Sequence, residues 1–231
     1  MTATRRRVVV VGAGLSGLVA ALRASPGAEV LVLEQSGRLG GQIHTAREGE
    51  RTVELGAEGF VARSVVLPKL CEDAGAGAEL VDQTSTLTLA FRAGVLVDME
   101  PGEAARALGF QVEKADLGRG IRSLRGGMGA LIDALATRLA QLGVEVRRGV
   151  GVSRIGTSPR GLTVEPVTGP TEPADAVIVA TPAKSAANLL AGLAPEAEGL
   201  AEQSLLSNAS VNLLYGLADL GVELRGSGVL V

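Results

Sequence analysis

The most constraining feature of the sequence is a glycine pattern near its start. Gly12, Gly14 and Gly17 form G-x-G-x-x-G directly after the β-branched run 8–11 and directly before the helix-like segment 15–24. In a dinucleotide-binding turn the first glycine permits the bend, the second lets the backbone approach a diphosphate, and the third lets the helix pack on the strand. The order of strand, turn and helix therefore predicts that residues 12–17 (Gly12, Ala13, Gly14, Leu15, Ser16 and Gly17) bind a dinucleotide. The alternative is an ordinary glycine-rich turn.

A second apolar strand strengthens this prediction. It covers residues 30–33 and ends at Glu34, which lies 22 positions after Gly12. An acidic side chain at this distance accepts hydrogen bonds from the ribose of an adenosine. Three arginines at 5–7 before the apolar run 8–22 could also suggest a signal peptide, but the run is shorter than a membrane span and the glycine spacing favours the Rossmann interpretation.

The residues after Glu34 suggest a second phosphate-binding turn. Arg38, Gly40 and Gly41 place a cation and two adjacent glycines just beyond the expected ribose position. Backbone amides at a glycine pair can approach a phosphate closely, and a guanidinium supplies charge and a planar set of donors. The alternative is a Gly-Gly loop that carries a solvated arginine.

The arrangement E-x-x-x-R-x-G-G after a Rossmann fingerprint resembles the flavin-containing amine oxidase superfamily. Within it, the chain is most similar to the protoporphyrinogen oxidase family, which includes bacterial coproporphyrinogen-oxidising relatives. Residues 52–60 resemble the family's E-x-G-P-x-S-F segment beside the flavin, and residues 67–75 resemble the helix that follows it. The resemblance implies FAD as the cofactor and cofactor contacts at Gly56, Ala57, Glu58 and Gly59, although Ala57 and Gly59 replace the family's Pro and Ser.

The second half of the chain carries two further expected cofactor contacts. Strands are predicted at 144–147, 150–155, 162–167 and 176–181, and helices at 130–142 and 185–193. The resemblance implies that the backbone near Val152 contacts the FAD adenine and that the chain near Thr181 passes close to the cofactor. The patterns alone are equally explained by a buried strand at 150–155 and by a strand end where Pro182 opens a helix.

These elements predict an α/β fold: a Rossmann-like FAD-binding domain of the glutathione-reductase type with a reduced α+β substrate domain. We expect the FAD-binding domain at residues 1–66 and 121–193, and the remnant of the substrate domain at 67–120 and 194–231. The second part includes a hairpin at 84–99, a short helix at 101–108, a linker at 109–120 and strand-like residues at 210–217. Family members are substantially longer, so the chain is expected to be a truncated member.

The resemblance also implies an activity. Family members of this type, in haem biosynthesis, remove hydride from a porphyrinogen to FAD, and oxygen or a quinone then reoxidises the flavin. No pair of carboxylates forms a recognisable catalytic set, so the catalytic residues are unknown, and the truncated chain is expected to show weak or no turnover alone. Two alternatives stay open: a non-catalytic FAD-binding remnant or subunit, and a flavoenzyme of the amine oxidase or carotenoid desaturase type.

Composition excludes several other classes. With 22 basic and 25 acidic residues, a net charge of -3 and no Trp, the chain has no basic, aromatic surface for nucleic acid. Cys71 and His44 are the only cysteine and histidine, so we expect no internal disulfide and no Cys/His metal site. A single thiol fits a cytoplasmic setting, with peripheral membrane contact allowed. The oligomeric state is left undecided.

Overall fold

A computed structural model describes residues 5–49, 51–83, 87–100, 102–107, 120–202 and 228–230. In chain order the strands and helices are β1 (Arg6–Val11), α1 (Leu15–Ala24), β2 (Ala28–Glu34), β3 (Thr45–Glu48), β4 (Arg51–Glu54), β5 (Phe60–Val61), α2 (Val66–Ala74), β6 (Leu80–Asp82), β7 (Thr88–Arg92), β8 (Val95–Asp98), α3 (Glu103–Ala107), β9 (Ile121–Leu124), α4 (Gly129–Gln141), β10 (Glu145–Arg148), β11 (Val152–Ser158), β12 (Gly161–Pro166), β13 (Glu172–Ala174), β14 (Ala176–Val179), α5 (Ala183–Leu190) and β15 (Gly228–Leu230). The 3-10 helices Gly77–Glu79 and Pro195–Glu202 complete the described elements. The strand predicted at 210–217 and most of the linker at 109–120 lie outside the described residues.

The chain divides into two compact units. The first comprises Met1–Ala57 and Met128–Ser210, and the second comprises Glu58–Gly127 and Val211–Val231. The polypeptide therefore leaves the first unit after Ala57 and returns to it at Met128.

A four-stranded parallel sheet forms the centre of the first unit, in the order β10-β2-β1-β14. Val8 to Val11 of β1 pair with Val30 to Leu33 of β2 on one side and with Ala176 to Val179 of β14 on the other. In such a sheet the strand order reverses beside the first strand, and ligands bind outside the carboxyl ends of the strands at that point. Here the reversal lies between β1 and β14. The architecture confirms the predicted α/β, Rossmann-like fold.

Both faces of this sheet are covered, which explains why the paired residues 8–11 of β1, 30–33 of β2 and 176–179 of β14 are continuously apolar. Val9 and Val11 pack in one core with residues of β11, β12, β13 and α5, and β11, β12 and β13 form an antiparallel sheet of their own. Successive strand residues point to opposite faces. Helix α1 contacts β1 and β2 and packs against α4, whose Leu131, Leu135 and Leu139 recur at helical spacing and are fully buried.

Two small sheets lie in the described part of the second unit. Strands β5, β9 and β6 form one antiparallel sheet, and β15, β7 and β8 form the other, in which β15 runs parallel to β7. The hairpin of β7 and β8 and the short helix α3 correspond to elements predicted at 84–99 and 101–108.

A group of charged side chains connects the parallel sheet to β13. Glu172 of β13 is buried and accepts hydrogen bonds from Arg7 of β1, at 2.7 Å, and from Arg147 of β10. Burial alone raises the pKa of Glu172, but the hydrogen bonds from Arg147 and Arg7 outweigh burial and hold this pKa below its ordinary value of 4.5. The ionised carboxylate is therefore the form that the fold stabilises.

The substitution Glu172→Gln is expected to lower the free energy of unfolding by about 2–3 kcal/mol at neutral pH, because charge-assisted hydrogen bonds are lost at a buried site. A carboxyl with a lowered folded-state pKa stabilises the fold above its unfolded-state pKa, and this stabilisation is lost as the pH falls through the folded-state pKa. The difference from wild type should therefore shrink below about pH 4.5. Urea unfolding across this range measures it.

The control for this prediction is Glu165→Gln. The Glu165 carboxylate lies 3.6 Å from Arg154 in an exposed pair, so its loss should change stability by less than about 0.5 kcal/mol. A loss in Glu172→Gln that is the same at every pH would contradict the assigned role of the charge.

Candidate cofactor-binding site

The glycine fingerprint forms a tight turn at the carboxyl end of β1. Gly12 has a φ of +100°, and a Cβ added to it would lie 2.7 Å from the carbonyl oxygen of Ala180. Its N–H donates to the carbonyl of Leu33 at 2.8 Å. Gly12 therefore joins the ends of β1, β2 and β14, at the position where the strand order reverses.

The other two glycines bring helix α1 close to this turn. A Cβ at Gly17 would lie only 1.9 Å from the carbonyl oxygen of Gly12, so no side chain fits there. Gly14 precedes the helix, and its carbonyl accepts from the N–H of Leu18 at 3.0 Å. The first N–H groups of a helix have no partner within it and attract anions. The amides of Leu15 and Ser16 therefore form a helix start of the kind that attracts anions, beside the turn.

Glu34 ends β2 and is buried beneath the fingerprint. One of its carboxylate oxygens accepts from the N–H of Ala13 at 2.7 Å, and the other accepts from the N–H of Ser36 at 2.8 Å. A carboxylate offers about four acceptor positions, so acceptor capacity remains for ribose hydroxyls. The structure thus shows a role of Glu34 that its sequence position did not indicate, because its carboxylate fixes the fingerprint loop.

The second glycine turn lies directly against the first. The N–H of Gly40 donates to the carbonyl of Ala13 at 2.8 Å, and Gly14 and Gly40 form a parallel bridge. A Cβ at Gly41 would lie 3.0 Å from the Cα of Gly14. The two turns predicted to bind phosphate are therefore brought together.

Arg38 has a different environment from the one expected. Its Nη2 donates to the carbonyl of Gly41 at 2.7 Å, and its Nη1 donates to the carbonyls of Ile43 at 3.1 Å and Leu39 at 3.3 Å. The guanidinium therefore holds the shape of the turn at 38–43. Sequence reasoning assigned it only a phosphate contact, and the remaining guanidinium donors are those that such a contact would use.

Thr181 lies beside Gly12 at the end of the segment that follows β14. The Cγ2 of Thr181 is 3.4 Å from the position that a Cβ of Gly12 would take. Its hydroxyl oxygen is buried and has no hydrogen-bond partner within the part of the chain that the structure describes. A buried polar atom without a partner is rare in native proteins, and a polar ligand at the switch point would supply the partner that this hydroxyl lacks among the described residues.

The connection from β10 to β11 runs along the residues after β2. The N–H of Val150 donates to the carbonyl of Glu34 at 2.8 Å, and the N–H of Gly149 donates to the carbonyl of Ser36 at 2.9 Å. Val152, the expected adenine contact, begins β11 two residues later.

The four residues expected beside the flavin fall into different units. Gly56 packs against the turn at 38–43: a Cβ there would lie 2.0 Å from the carbonyl oxygen of Gln42, which also accepts from the N–H of Ala57 at 3.1 Å. Glu58 and Gly59 belong to the second unit. In that unit the carbonyl of Glu58 accepts from the hydroxyl of Ser123 at 2.8 Å.

These observations fit an adenine dinucleotide. Two glycine turns in contact, a helix start, a buried carboxylate and an unpartnered hydroxyl provide donors for a diphosphate and acceptors for a ribose at one edge of a parallel sheet. In the described ranges, no group of three or more His, Cys, Asp or Glu side chains could hold a metal ion. None of the described helices is long and apolar enough to cross a membrane.

Fold and site together define a Rossmann-type, dinucleotide-binding protein. Residues 10–73 match the NAD(P)-binding Rossmann-like domain, and residues 85–215, more than half of the chain, match the flavin containing amine oxidoreductase family. The chain belongs to this flavin-containing family. Membership confirms FAD as the cofactor that the site implies.

Curated relatives include coproporphyrinogen III oxidases. The chain is 29% identical over 100 residues to the enzyme of Staphylococcus aureus, and the aligned region covers 42% of this chain and 22% of the relative. It is 31% identical over 149 residues to the enzyme of Mycobacterium tuberculosis (strain H37Rv), and the aligned region covers 63% of this chain and 29% of the relative. The chain thus spans less than a third of the length of these relatives.

Solved structures with the same fold include a putative protoporphyrinogen oxidase from Exiguobacterium. It superposes with a TM-score of 0.68 at 21% identity, over 86% of this chain and 64% of that one. A putrescine oxidase variant superposes with a TM-score of 0.59 at 16% identity, over 80% of this chain and 60% of that one. At these identities the likeness shows the fold.

Proposed function

We propose that the first unit is an FAD-binding domain and that the protein is an FAD-dependent oxidoreductase acting on a porphyrinogen. The single observation that carries the proposal is the contact between the two glycine turns, above Glu34, at the point where the strand order reverses. The second unit is then the reduced substrate domain.

The proposed roles follow from the chemistry of each group. The N–H groups of Gly12, Ala13 and Gly40 already donate to protein acceptors. The amides of residues 14–17 and of Gly41 would therefore bind the diphosphate, while Glu34 would accept hydrogen bonds from the ribose. Arg38 would shape the turn and direct its remaining donors to a phosphate. The Val152 backbone would contact the adenine, and the Thr181 hydroxyl would gain a polar partner. Residues 56–59 (Gly56, Ala57, Glu58 and Gly59) would lie on the flavin side.

When bound, the flavin supplies the capacity to accept two electrons from the substrate. The protein's own contribution is to bind and orient this cofactor. No side chain is assigned as a catalytic acid, base or nucleophile.

The substrate proposal is supported by the coproporphyrinogen III oxidases among the relatives. The proposed electron acceptor is oxygen or a quinone. A second candidate is oxidation of an amine or amino acid. It is supported by shorter but closer matches: 44% identity over 78 residues to an L-amino-acid oxidase of Mus musculus, and 50% over 62 residues to an L-tryptophan oxidase of Lentzea aerocolonigenes. An FAD-binding protein without turnover is the third outcome that the experiments below distinguish.

The proposed setting is cytoplasmic. Cys71 is a free, buried cysteine, and a free thiol fits a reducing compartment. The proposal includes peripheral contact with a membrane, and co-sedimentation with anionic lipid vesicles tests that contact.

The purified chain is expected to bind FAD at least about tenfold more tightly than FMN, because the proposed site binds the adenosine and the diphosphate, and FMN lacks the adenosine and one of the two phosphates. Titration of flavin fluorescence measures both affinities, and ADP should compete with FAD. Equal affinity for FAD and FMN, or absence of a flavin spectrum after reconstitution, would contradict the proposed site.

Turnover by the reconstituted chain then separates the candidate functions. Coproporphyrinogen III oxidation is monitored through the fluorescence of the porphyrin product. Oxidation of putrescine or an L-amino acid is monitored through the release of hydrogen peroxide. Porphyrin formation alone supports the leading proposal, peroxide with an amine or amino acid supports the second, and tight FAD binding with neither product identifies a non-catalytic FAD-binding protein.

A further inference from the structure

Helix α4 begins without a cap of its own. Met128 precedes it and provides no side-chain cap, and the first turn contains no acidic residue. Uncapped helix starts leave several backbone N–H groups without intrahelical partners. The partners here come from a distant segment, the hairpin of β3 and β4.

Thr45 and Glu54 supply these partners. They face each other across the hairpin, and the Thr45 hydroxyl donates to the Glu54 carboxylate at 2.7 Å. The other Glu54 oxygen accepts from the N–H of Met128 at 2.6 Å, and the Thr45 hydroxyl oxygen accepts from the N–H of Gly129 at 2.7 Å. We call these four residues the hairpin clamp.

The clamp is closely packed. A Cβ at Gly129 would lie 2.8 Å from the Thr45 hydroxyl oxygen. Glycine at this position is therefore required by the approach of the hairpin. Because the chain leaves the first unit after Ala57 and returns at Met128, the clamp joins the outgoing and the returning segments within that unit.

Contacts continue from the clamp to the proposed cofactor site. The residue after Glu54, Leu55, donates its N–H to the carbonyl of His44 at 2.7 Å, and Ala57 donates to the carbonyl of Gln42. The N–H of Ile43 donates to the carbonyl of Gly40 at 3.0 Å, and Gly40 in turn donates to Ala13 of the fingerprint loop. An unbroken set of backbone hydrogen bonds and covalent neighbours thus connects Glu54 to both glycine turns.

We propose that Thr45 and Glu54 are positioning residues for FAD, and that they set the turn at 40–43 and residues 55–57 by fixing them to the start of α4. This inference rests on the proposed function. Neither residue needs to touch the cofactor. They restrict the glycine turns before FAD binds, and this lowers the conformational entropy that the turns lose on binding. This is the general basis of preorganisation.

The variant Thr45→Val tests this proposal because it keeps the side-chain shape and removes the hydroxyl. We expect it to weaken FAD binding about tenfold, equivalent to about 1.4 kcal/mol, when measured well below the unfolding midpoint of each variant. Thr45→Ser keeps the hydroxyl and should restore the affinity to within about twofold. The visible circular dichroism of bound FAD should also change in Thr45→Val, since the proposed flavin-side residues Gly56 and Ala57 would shift.

Thr137→Val is the matched control. Thr137 is exposed on the same helix, and its hydroxyl donates to the carbonyl of Asp133 at 2.9 Å. It should leave the FAD affinity and spectrum unchanged. If Thr45→Val lowers the unfolding temperature but keeps the wild-type affinity and spectrum, the clamp is only a helix cap and the proposal is wrong.

Hydrogen exchange separates failure of this inference from failure of the proposed function. In the cofactor-free protein, Thr45→Val should accelerate exchange of the Gly40 amide as well as the Gly129 amide. If wild type binds no FAD, the proposed function fails, and faster exchange at Gly40 would still show that the clamp positions the turn. Faster exchange at Gly129 alone would overturn the inference.

Discussion

The substitution Gly14→Ala is expected to weaken FAD binding by at least about 100-fold, or about 2.7 kcal/mol, while the fold stays intact. The φ of Gly14 is −67°, which any residue adopts, and the nearest neighbour of an added Cβ is the Cα of Gly41 at an ordinary 3.8 Å. The methyl group would instead lie between the two glycine turns, where the proposed diphosphate must approach the backbone. Fluorescence titration measures the affinity, and thermal unfolding without FAD measures the stability.

Two other glycines provide controls for this prediction. Gly17→Ala forces a Cβ to 1.9 Å from the Gly12 carbonyl oxygen, and should lower the free energy of unfolding by more than about 3 kcal/mol. At Gly37 an added Cβ would have no heavy atom within 4 Å from any described residue other than Gly37 itself and its two chain neighbours, so Gly37→Ala should change neither property. Wild-type FAD affinity in Gly14→Ala would show that the diphosphate does not approach this loop.

The second large effect is expected for Glu34→Gln. Both Glu34 oxygens accept backbone N–H groups, so the amide nitrogen of glutamine would face a donor at Ala13 or Ser36. A buried, unsatisfied donor should lower the free energy of unfolding by about 2–3 kcal/mol. The ribose also loses a charged acceptor, and FAD affinity should fall by about 10–100-fold, or about 1.4–2.7 kcal/mol.

Urea unfolding and competition by ADP measure the two parts of this prediction. Because FMN lacks the adenosine ribose, its weaker binding should change much less than that of FAD. The exposed Glu165→Gln again serves as the control for the loss of one negative charge. An unchanged ADP affinity in Glu34→Gln would contradict the assignment of Glu34 to the ribose.

The parts of the fold that the sequence predicted are those specified by neighbouring residues. Apolar runs and glycine spacing determine β1, α1 and β2, and the same local patterns predict β10, β12, β14 and α4. The segment at 176–181 forms a strand only to Val179. Pro182 cannot donate a backbone hydrogen bond, and the Ala180 carbonyl lies close to Gly12 instead.

The parts that the sequence did not reveal depend on distant partners. Strands β3 and β4 are short and rich in charged residues, so they show no strong apolar alternation. The bonds of Glu54 to Met128 and of Thr45 to Gly129 join residues 74 and 84 positions apart. The loop contacts of Arg38 were missed for a different reason: a guanidinium after the expected ribose position suggests a phosphate ligand, and nothing in the local sequence indicates that carbonyls of its own loop use several of its donors. The glycine at 129 was the only local signal for the clamp.

The pairing of β1 with β14 has a consequence for biosynthesis. Val8 lies beside Ala176, 168 positions later in the chain, so the edge that carries Gly12 and Thr181 is completed only after β14 has left the ribosome. Pairing of strands so far apart in sequence carries a large loop-closure cost and is slow. In a nascent chain, β1 therefore lacks its partner β14 for a period. Free flavin in the cell favours the paired state by mass action, because it binds only the folded chain.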